Sequence, residues 1–235
     1  MWYIIDNMET EIQNIQIGVL PLNALRHKVT RRLLGAVFRG ELPVGTRLVA
    51  QSLAKQFGIS ATPVREALLE METIGMVEFP HNRGAVVKPW GRRQVREVYH
   101  LRRILEAESA RCSCGRVNAD ALEKLKAEST ELLQRNQEKG WTDEAMVVDQ
   151  QMHTLIIEAC DNDRLTDEVH RYDVLIQAIR EVVENKQETQ TQAILEHLAI
   201  IDALLANEPE IAYAQMARHI NSTAKTIENI MFGPE

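Results

Sequence analysis

The chain has 235 residues, of which 45% are hydrophobic, and this apolar content is enough to bury one or two cores. No run reaches the roughly 18 to 20 uninterrupted apolar residues of a membrane helix, and the first residues lack the basic and apolar regions of an export signal. The odd set of cysteines, Cys112, Cys114 and Cys160, favours free thiols in a reducing compartment. We therefore expect a cytoplasmic protein that does not bind membranes.

The formal net charge of −7 is unevenly distributed along the chain. Residues 22–93 hold 12 basic and 5 acidic side chains, residues 94–235 hold 15 and 26, and residues 1–21 hold none and 3. A basic segment on an acidic chain is typical of a protein in which one domain contacts phosphates. The alternative is a solvated basic face without a partner.

The first elements, in chain order, predict a helix-turn-helix. Residues 1–21 form an N-terminal arm for which we expect partial disorder. A helix over Leu25–Phe38 ends in a break at residues 40–45, and a short amphipathic segment over residues 51–57 is followed by Gly58-Ile59, a tight turn between two helices.

The second helix of this motif, over residues 60–75, has the layout of a DNA-recognition helix. Ser60 is a favourable N-cap residue, and Pro63 lies in the first turn, where proline removes no intrahelical donor. Thr62 and Arg65 lie near the helix start, the end that such motifs direct at base edges. The opposite side carries apolar residues at three- and four-residue steps and should be buried: Val64, Ala67, Leu68 and Met71.

A hairpin follows this helix. Residues 76–79 and 85–88 are short β-prone runs on either side of a turn-rich tip that contains His81 and Arg83. Helix, turn, helix and hairpin together indicate a winged helix-turn-helix; the alternative is an ordinary helical hairpin with a surface loop. The expected DNA contacts are made by Ser60, Thr62, Arg65, His81 and Arg83. Arg65 is the expected reader of guanine, a contact that discriminates by about 1–3 kcal/mol.

The rest of the chain is predicted to be an all-α antiparallel helical bundle, so that the fold class is mainly α. Breaks at glycine, proline and Asn/Asp clusters separate six helices, over residues 91–116, 119–138, 142–160, 163–186, 189–206 and 208–231. The expected domains are therefore a winged helix-turn-helix over residues 22–90 and the bundle over residues 91–235, preceded by the arm.

One group of residues in the bundle has the composition of a metal site. Asp149 and His153 lie four residues apart and share a helix face, whereas His197 and His219 lie in apolar stripes of two later helices. Three imidazoles and a carboxylate would bind a first-row divalent metal, with zinc first and nickel, manganese or iron as alternatives. Spacing alone leaves open that each histidine is an ordinary core or surface residue.

The residues also resemble a known family. Leu53–Gly75, with the run TPVREAL at Thr62–Leu68, and the wing at residues 82–85 are similar to the DNA-binding domain of GntR-family bacterial transcription regulators. The bundle resembles the FCD effector domain of the FadR/VanR-type branch. The matching positions are Arg102-x-x-Leu105-Glu106, Asp149-x-x-x-His153, Glu196-His197 and Met216-x-x-His219. The resemblance covers about residues 22–232, and six helices suggest the shorter, VanR-like version.

This resemblance implies a function. In such a protein Asp149, His153, His197 and His219 would bind the metal, and Arg102 would hold the carboxylate of a small organic-acid effector. A salt bridge to Glu106 is the alternative role of Arg102. We expect a homodimeric transcription regulator, a repressor rather than an activator, that binds a pseudo-palindromic operator in double-stranded DNA. Many members of the family have a DNA-contacting arginine at the position of Ala61. Because alanine cannot make that contact, the operator sequences of those members do not predict the operator of this protein.

Two other functions remain open at this level. One is a metal-dependent hydrolase or oxygenase with an appended DNA-binding domain, but no further carboxylate or histidine has the spacing of a general base. The other is a regulator whose metal is purely structural. We expect no enzymatic activity.

Overall fold

The computed structural model describes residues 22–80, 84–135, 139–183 and 187–234. The predicted arm over residues 1–21 lies outside the described residues, as do the expected wing contacts His81 and Arg83. The described residues form two compact units. The first contains the chain up to Trp90 together with Tyr172–Val182, and the second contains Gly91–Arg171 and the chain from Val183 onwards.

The first unit has the predicted helix-turn-helix and wing. Its elements are helix α1 (Leu22–Phe38), strand β1 (Arg47–Leu48), helices α2 (Ala50–Phe57) and α3 (Ala61–Thr73), and strands β2 (Val77–Glu78) and β3 (Ala85–Val87). The strands form an antiparallel sheet of order β1-β3-β2, in which Leu48 pairs with Ala85 and Val77 with Val87. Strand β1 was not predicted, because two residues are too few to show an alternating pattern.

Gly58 forms the turn between α2 and α3. Its φ of 64° is left-handed, and its backbone N–H faces the carbonyls of Ala54 and Lys55, which closes the end of α2. Ser60 occupies the N-cap of α3 in extended conformation, as predicted, but its hydroxyl makes no capping hydrogen bond. The expectation that the Ser60 hydroxyl caps the first turn of α3 is therefore wrong.

The buried side of α3 matches the prediction. Val64, Ala67, Leu68 and Met71 are each at most 2% exposed. At the far end of the helix, the Glu70 carboxylate accepts a 2.5 Å hydrogen bond from Thr30 of α1 and lies 3.3 Å from the ring of His27. These contacts attach the recognition helix to α1.

The second unit is a helical bundle. Its helices are α4 (Arg92–Ser113), α5 (Ala119–Gln134), α6 (Trp141–Glu158), α7 (Asp163–His170), α9 (Gln187–Leu205) and α10 (Pro209–Phe232). Helix α10 packs against α4 and α9, and α6 packs against α4, α5 and α9. Arg96 pairs with Glu228, so the first part of α4 lies beside the last part of α10 and the two helices run antiparallel.

The predicted single helix over residues 163–186 is wrong. The chain instead forms α7 and a separate helix α8 (Asp173–Val182), with a break at Arg171-Tyr172. Helix α7 packs in the second unit, whereas the apolar face of α8 packs against α1 in the first. No glycine or proline marks the break, so the sequence has no local signal for it. The position of the break is set by tertiary packing, because the two helices pack in different units. Within residues 91–234 the described helices number seven rather than six, which removes the basis for choosing the shorter, VanR-like branch.

Trp141 fixes the start of α6, the helix that carries two of the expected metal ligands. Its indole N–H donates a 2.7 Å hydrogen bond to the Leu132 carbonyl of α5, and its ring is buried with Ala145 and Ile194. None of the helices in the described ranges is both long enough and apolar enough to span a membrane.

Candidate metal centre and DNA-recognition surface

The structure brings the four predicted metal ligands together in the core of the second unit. Asp149 and His153 lie on α6, His197 on α9 and His219 on α10, and all four are buried. Each offers one ligand atom, and these atoms lie within 4.8 Å of one another. Residues from three helices, distant from one another in sequence, therefore converge on one point.

The distances between these ligand atoms suit a first-row metal. His197 Nε2 lies 3.1 Å from His219 Nε2 and 3.4 Å from Asp149 Oδ1, and His153 Nε2 lies 3.9 Å from Asp149 Oδ1. Tetrahedral zinc, at about 2.0–2.1 Å from nitrogen, would hold its ligand atoms about 3.3 Å apart. His153 Nε2 is buried and has no hydrogen-bond partner in the described residues, as expected of an atom that faces an ion. The donor set therefore fits a divalent metal.

Two further carboxylates contact the outer nitrogens of this cluster. Glu106 Oε2 lies 2.5 Å from His153 Nδ1, and Glu196 Oε2 lies 2.9 Å from His219 Nδ1. A carboxylate at Nδ1 favours the tautomer in which Nε2 carries the lone pair that a metal requires. Burial lowers the pKa of His219, and the hydrogen bond to Glu196 offsets this only in part. His219 is thereby kept neutral, the form that binds metal.

Arg102 lies on α4 beside the cluster and forms the salt bridge that the sequence left open as its alternative role. Its Nε donates to Glu106 Oε1, and its guanidinium lies over the ring of Tyr99, 5.6 Å from the centroid. Arg102 is only 8% exposed, yet its Nη1 has no hydrogen-bond partner in the described residues. One buried donor of this side chain is therefore available for a further hydrogen bond.

Arg102 and Glu106 remain charged although they are buried. Burial opposes ionisation of both, but the attraction between them outweighs it, with help from Tyr99 for Arg102 and from His153 for Glu106. The pKa of Arg102 is thus above its usual value, and the pKa of Glu106 is well below its usual range. The buried pair therefore stays ionised beside the cluster, with Arg102 positive and Glu106 negative.

The start of α3 presents the predicted DNA contacts to solvent. Ser60, Thr62 and Arg65 are all exposed, on the side opposite the buried residues of the helix. Ala61, the first residue of the helix, is half-buried. An exposed arginine at the start of a recognition helix can donate two hydrogen bonds to guanine.

The sequence pattern did not assign Glu106 and Glu196 to the metal centre. In the sequence, Glu106 is the alternative salt-bridge partner of Arg102, and Glu196 is a family-matching position next to His197. The available signal was an acidic residue at helical spacing on an otherwise apolar face, which requires a buried partner. The partner could not be identified, because it lies on another helix.

The fold and these two sites define a DNA-binding regulator with a helical ligand-binding domain. The model of the FCD domain matches residues 97–222, and that of the bacterial regulatory proteins of the gntR family matches residues 25–87. The chain belongs to the FCD-containing branch of the GntR family. Members of the family bind DNA operators, and FCD domains bind small-molecule effectors and metals. The protein is a transcription regulator of this type, and the relatives found are regulators rather than enzymes.

Individual relatives agree with this assignment. The HTH-type transcriptional regulator McbR of Escherichia coli K12 is 33% identical over 130 residues, which is 55% of this chain and 55% of McbR. The HTH-type transcriptional repressor RspR of the same organism is 21% identical over 226 residues, 95% of this chain and 94% of RspR.

Solved structures share the fold. The structure of E. coli McbR/YncC superposes with a TM-score of 0.63 at 21% identity and covers 85% of this chain and 94% of its own. The metal-free FCD domain of TM0439 superposes with a TM-score of 0.52 at 16% identity and covers 62% of this chain and 99% of its own.

Proposed function

We propose that the protein is a repressor whose affinity for its operator is controlled by a small organic acid bound at a divalent metal centre. Residues 22–90 would contact DNA, and residues 91–235 would bind metal and effector. Two copies of the chain, acting as a homodimer, would dock successive major-groove faces of a pseudo-palindromic operator in the cytoplasm.

One observation carries the effector part of the proposal. Four buried ligand atoms from three helices converge beside a buried arginine whose Nη1 lacks a hydrogen-bond partner among the described residues. Asp149, His153, His197 and His219 would hold the ion, zinc first and nickel, manganese or iron as alternatives. The ion would supply a Lewis-acid contact for one oxygen of a carboxylate, and Arg102 Nη1 would donate to the other.

The DNA part of the proposal depends on α3 and on charge. Thr62 and Arg65 would contact base edges, Ser60 would contact the backbone at the helix start, and His81 and Arg83 of the wing would contact the adjacent groove or backbone. Phosphate contacts would provide much of the affinity, so binding should weaken steeply as salt increases. The acid can control binding only if it has unequal affinity for the DNA-competent and incompetent states.

Two relatives support this proposal. RspR is a transcriptional repressor by name. The solved FCD domain of TM0439 is the metal-free form, a term that applies to a domain that can also bind metal. A second function, a regulator whose metal is purely structural, is favoured by the salt bridge between Arg102 and Glu106, because that contact already occupies Nε of the arginine.

Binding measurements with Arg102→Gln distinguish these functions. Fluorescence anisotropy with promoter fragments of the source genome, with Zn²⁺ and a panel of di- and tricarboxylates, should identify an acid that changes operator affinity. Arg102→Gln should abolish this response and still bind Zn²⁺. The neighbouring half-buried Arg103 provides the matched control Arg103→Gln, which should respond normally. An acid response that survives Arg102→Gln, or an operator that the metal-loaded protein ignores at low salt, contradicts the proposal.

A further inference from the structure

We propose that Glu106 is a positioning residue that couples metal binding to acid binding, because one carboxylate holds both a metal ligand and the effector-binding arginine. This inference depends on the proposed function of the metal centre. Glu106 would contact neither the ion nor the acid; it acts on both through His153 and Arg102.

The two oxygens of Glu106 have different nearest partners. Oε2 lies 2.5 Å from His153 Nδ1, and Oε1 accepts from Arg102 Nε, with Arg102 Nη2 3.5 Å from Oε2. The side chains of Glu106 and Arg102 are 3% and 7% exposed, so water cannot replace either contact. The carboxylate is thus the shared link between a residue of α6 and a residue of its own helix α4.

Only a carboxylate can fill this position. When His153 Nε2 faces a metal, its Nδ1 carries the hydrogen, so both Nδ1 and the Arg102 guanidinium are donors. A glutamate accepts from both partners with its two oxygens. A glutamine offers one acceptor and one N–H₂ donor, and the donor would face either the imidazole N–H or the guanidinium. Glu106→Gln therefore cannot satisfy the two partners at once.

Glu196 provides an internal comparison, because it holds His219 in the same way without any arginine. Its Oε2 lies 2.9 Å from His219 Nδ1, and its Oε1 accepts from the Gln192 amide at 3.1 Å. The Gln192 amide can rotate to present its oxygen, and the hydroxyl of Ser222, which also hydrogen-bonds Glu196, can accept as well as donate, so a glutamine at position 196 would keep these contacts. Glu106 and Glu196 thus have similar contacts to predicted metal ligands, but only Glu106 should be intolerant of replacement by glutamine.

The shared carboxylate makes the two binding events interdependent. A cation at Nε2 would withdraw electron density from the imidazole and make the Nδ1–H a stronger donor toward Glu106 Oε2, which lies 2.5 Å away. Glu106 in turn orients Arg102 and leaves Nη1 as the donor for the acid. Metal and acid should therefore increase each other's affinity, by a factor within the range of about 5- to 150-fold that is common for coupled sites.

The test measures Zn²⁺ affinity of the full chain by chelator competition, with and without acetate as the carboxylate probe, at constant ionic strength. For the wild type, acetate should tighten Zn²⁺ binding. Glu106→Gln should weaken Zn²⁺ binding about 10- to 100-fold and abolish the effect of acetate. Glu196→Gln should retain the effect of acetate. Glu108, a half-buried residue of the same helix that pairs with Arg111 away from the cluster, provides the control Glu108→Gln, which should match the wild type.

A double variant separates positioning from a general loss of structure. In Arg102→Gln/Glu106→Gln, the amide oxygen at 106 can accept from His153 while its N–H₂ donates to the oxygen at 102. Zn²⁺ affinity should then recover relative to Glu106→Gln, whereas the acetate effect should stay absent. Histidine ¹⁵N NMR should show a single Nδ1–H tautomer for His153 in the wild type and in the double variant, and mixed tautomers in Glu106→Gln.

The outcomes distinguish this inference from the proposed function. If the wild type fails to bind Zn²⁺, the metal centre itself is contradicted. If the wild type binds Zn²⁺ but Glu106→Gln has the same Zn²⁺ affinity, the same acetate effect and the same tautomer, the role of Glu106 is overturned while the metal centre stands. An equal loss of the acetate effect in Glu196→Gln also overturns it, because the coupling would then not depend on the arginine.

Discussion

His197 Nε2 and His219 Nε2 lie 3.1 Å apart in the core of the bundle, although they come from different helices. Two neutral imidazoles at this distance can share only one hydrogen, and a third imidazole, that of His153, is 5.5 Å from His197 between ring centroids. A cation held by the lone pairs of His153, His197 and His219 would satisfy all three rings together.

Removal of one ligand should remove the metal and its contribution to stability. His153→Ala should reduce Zn²⁺ affinity at least about 100-fold, since one of four ligands is lost. At a free metal concentration of 100 times Kd, the wild type gains about 2.7 kcal/mol in free energy of unfolding, and the variant should lose most of this. Calorimetric melting with and without chelator measures the difference. His100→Ala, at an exposed position of α4, should melt as the wild type does; chelator-insensitive melting of the wild type would contradict the metal centre.

Arg65 should contribute both to affinity and to sequence discrimination. Arg65→Ala should weaken binding to the operator by about 1–3 kcal/mol and leave binding to unrelated DNA less affected, because a base contact is lost. Anisotropy titrations with operator and scrambled duplexes measure the two affinities. Arg218→Ala, an exposed arginine of α10, is the control. An equal loss on both duplexes would assign Arg65 to the phosphate backbone instead.

Helix α8 should be necessary for the stability of the DNA-binding unit. Leu175 of α8 is fully buried where this helix packs against α1, so Leu175→Ala should lower the free energy of unfolding by about 2–5 kcal/mol. Urea denaturation followed by circular dichroism tests this value. Leu195→Ala removes a leucine that is 50% exposed and should cost much less. A variant at position 175 that is as stable as the wild type would show that α8 is dispensable for this core.

The indole hydrogen bond of Trp141 should stabilise the start of α6. Trp141→Phe preserves an aromatic ring but leaves the Leu132 carbonyl without its donor, at a cost of about 1–3 kcal/mol. Because α6 carries Asp149 and His153, Zn²⁺ affinity should fall as well. Thermal melting in the presence of chelator separates the loss of stability from the loss of metal. A loss that appears only when Zn²⁺ is present would instead assign Trp141 to the metal site.

Much of the fold could be predicted because local patterns and tertiary packing agree. The buried side of α3 followed from Val64, Ala67, Leu68 and Met71 at helical spacing, and the tight turn between α2 and α3 followed from Gly58-Ile59. The prediction failed at residues 163–186, where the helical pattern is continuous but the chain passes from one unit to the other. Strand β1 was missed for a different reason, since its two residues pair only because β3 lies beside them.

For the functional sites, the sequence by itself determined which side chains are available and which of them share a helix face. Asp149 and His153 had to lie together because they are four residues apart on one helix, and Arg65 had to lie near the start of the recognition helix. Only the tertiary structure decided that His197 and His219 meet them, and that Glu106 contacts both His153 and Arg102. These contacts join different helices, and the relative rotation of packed helices depends on the whole core rather than on any local spacing.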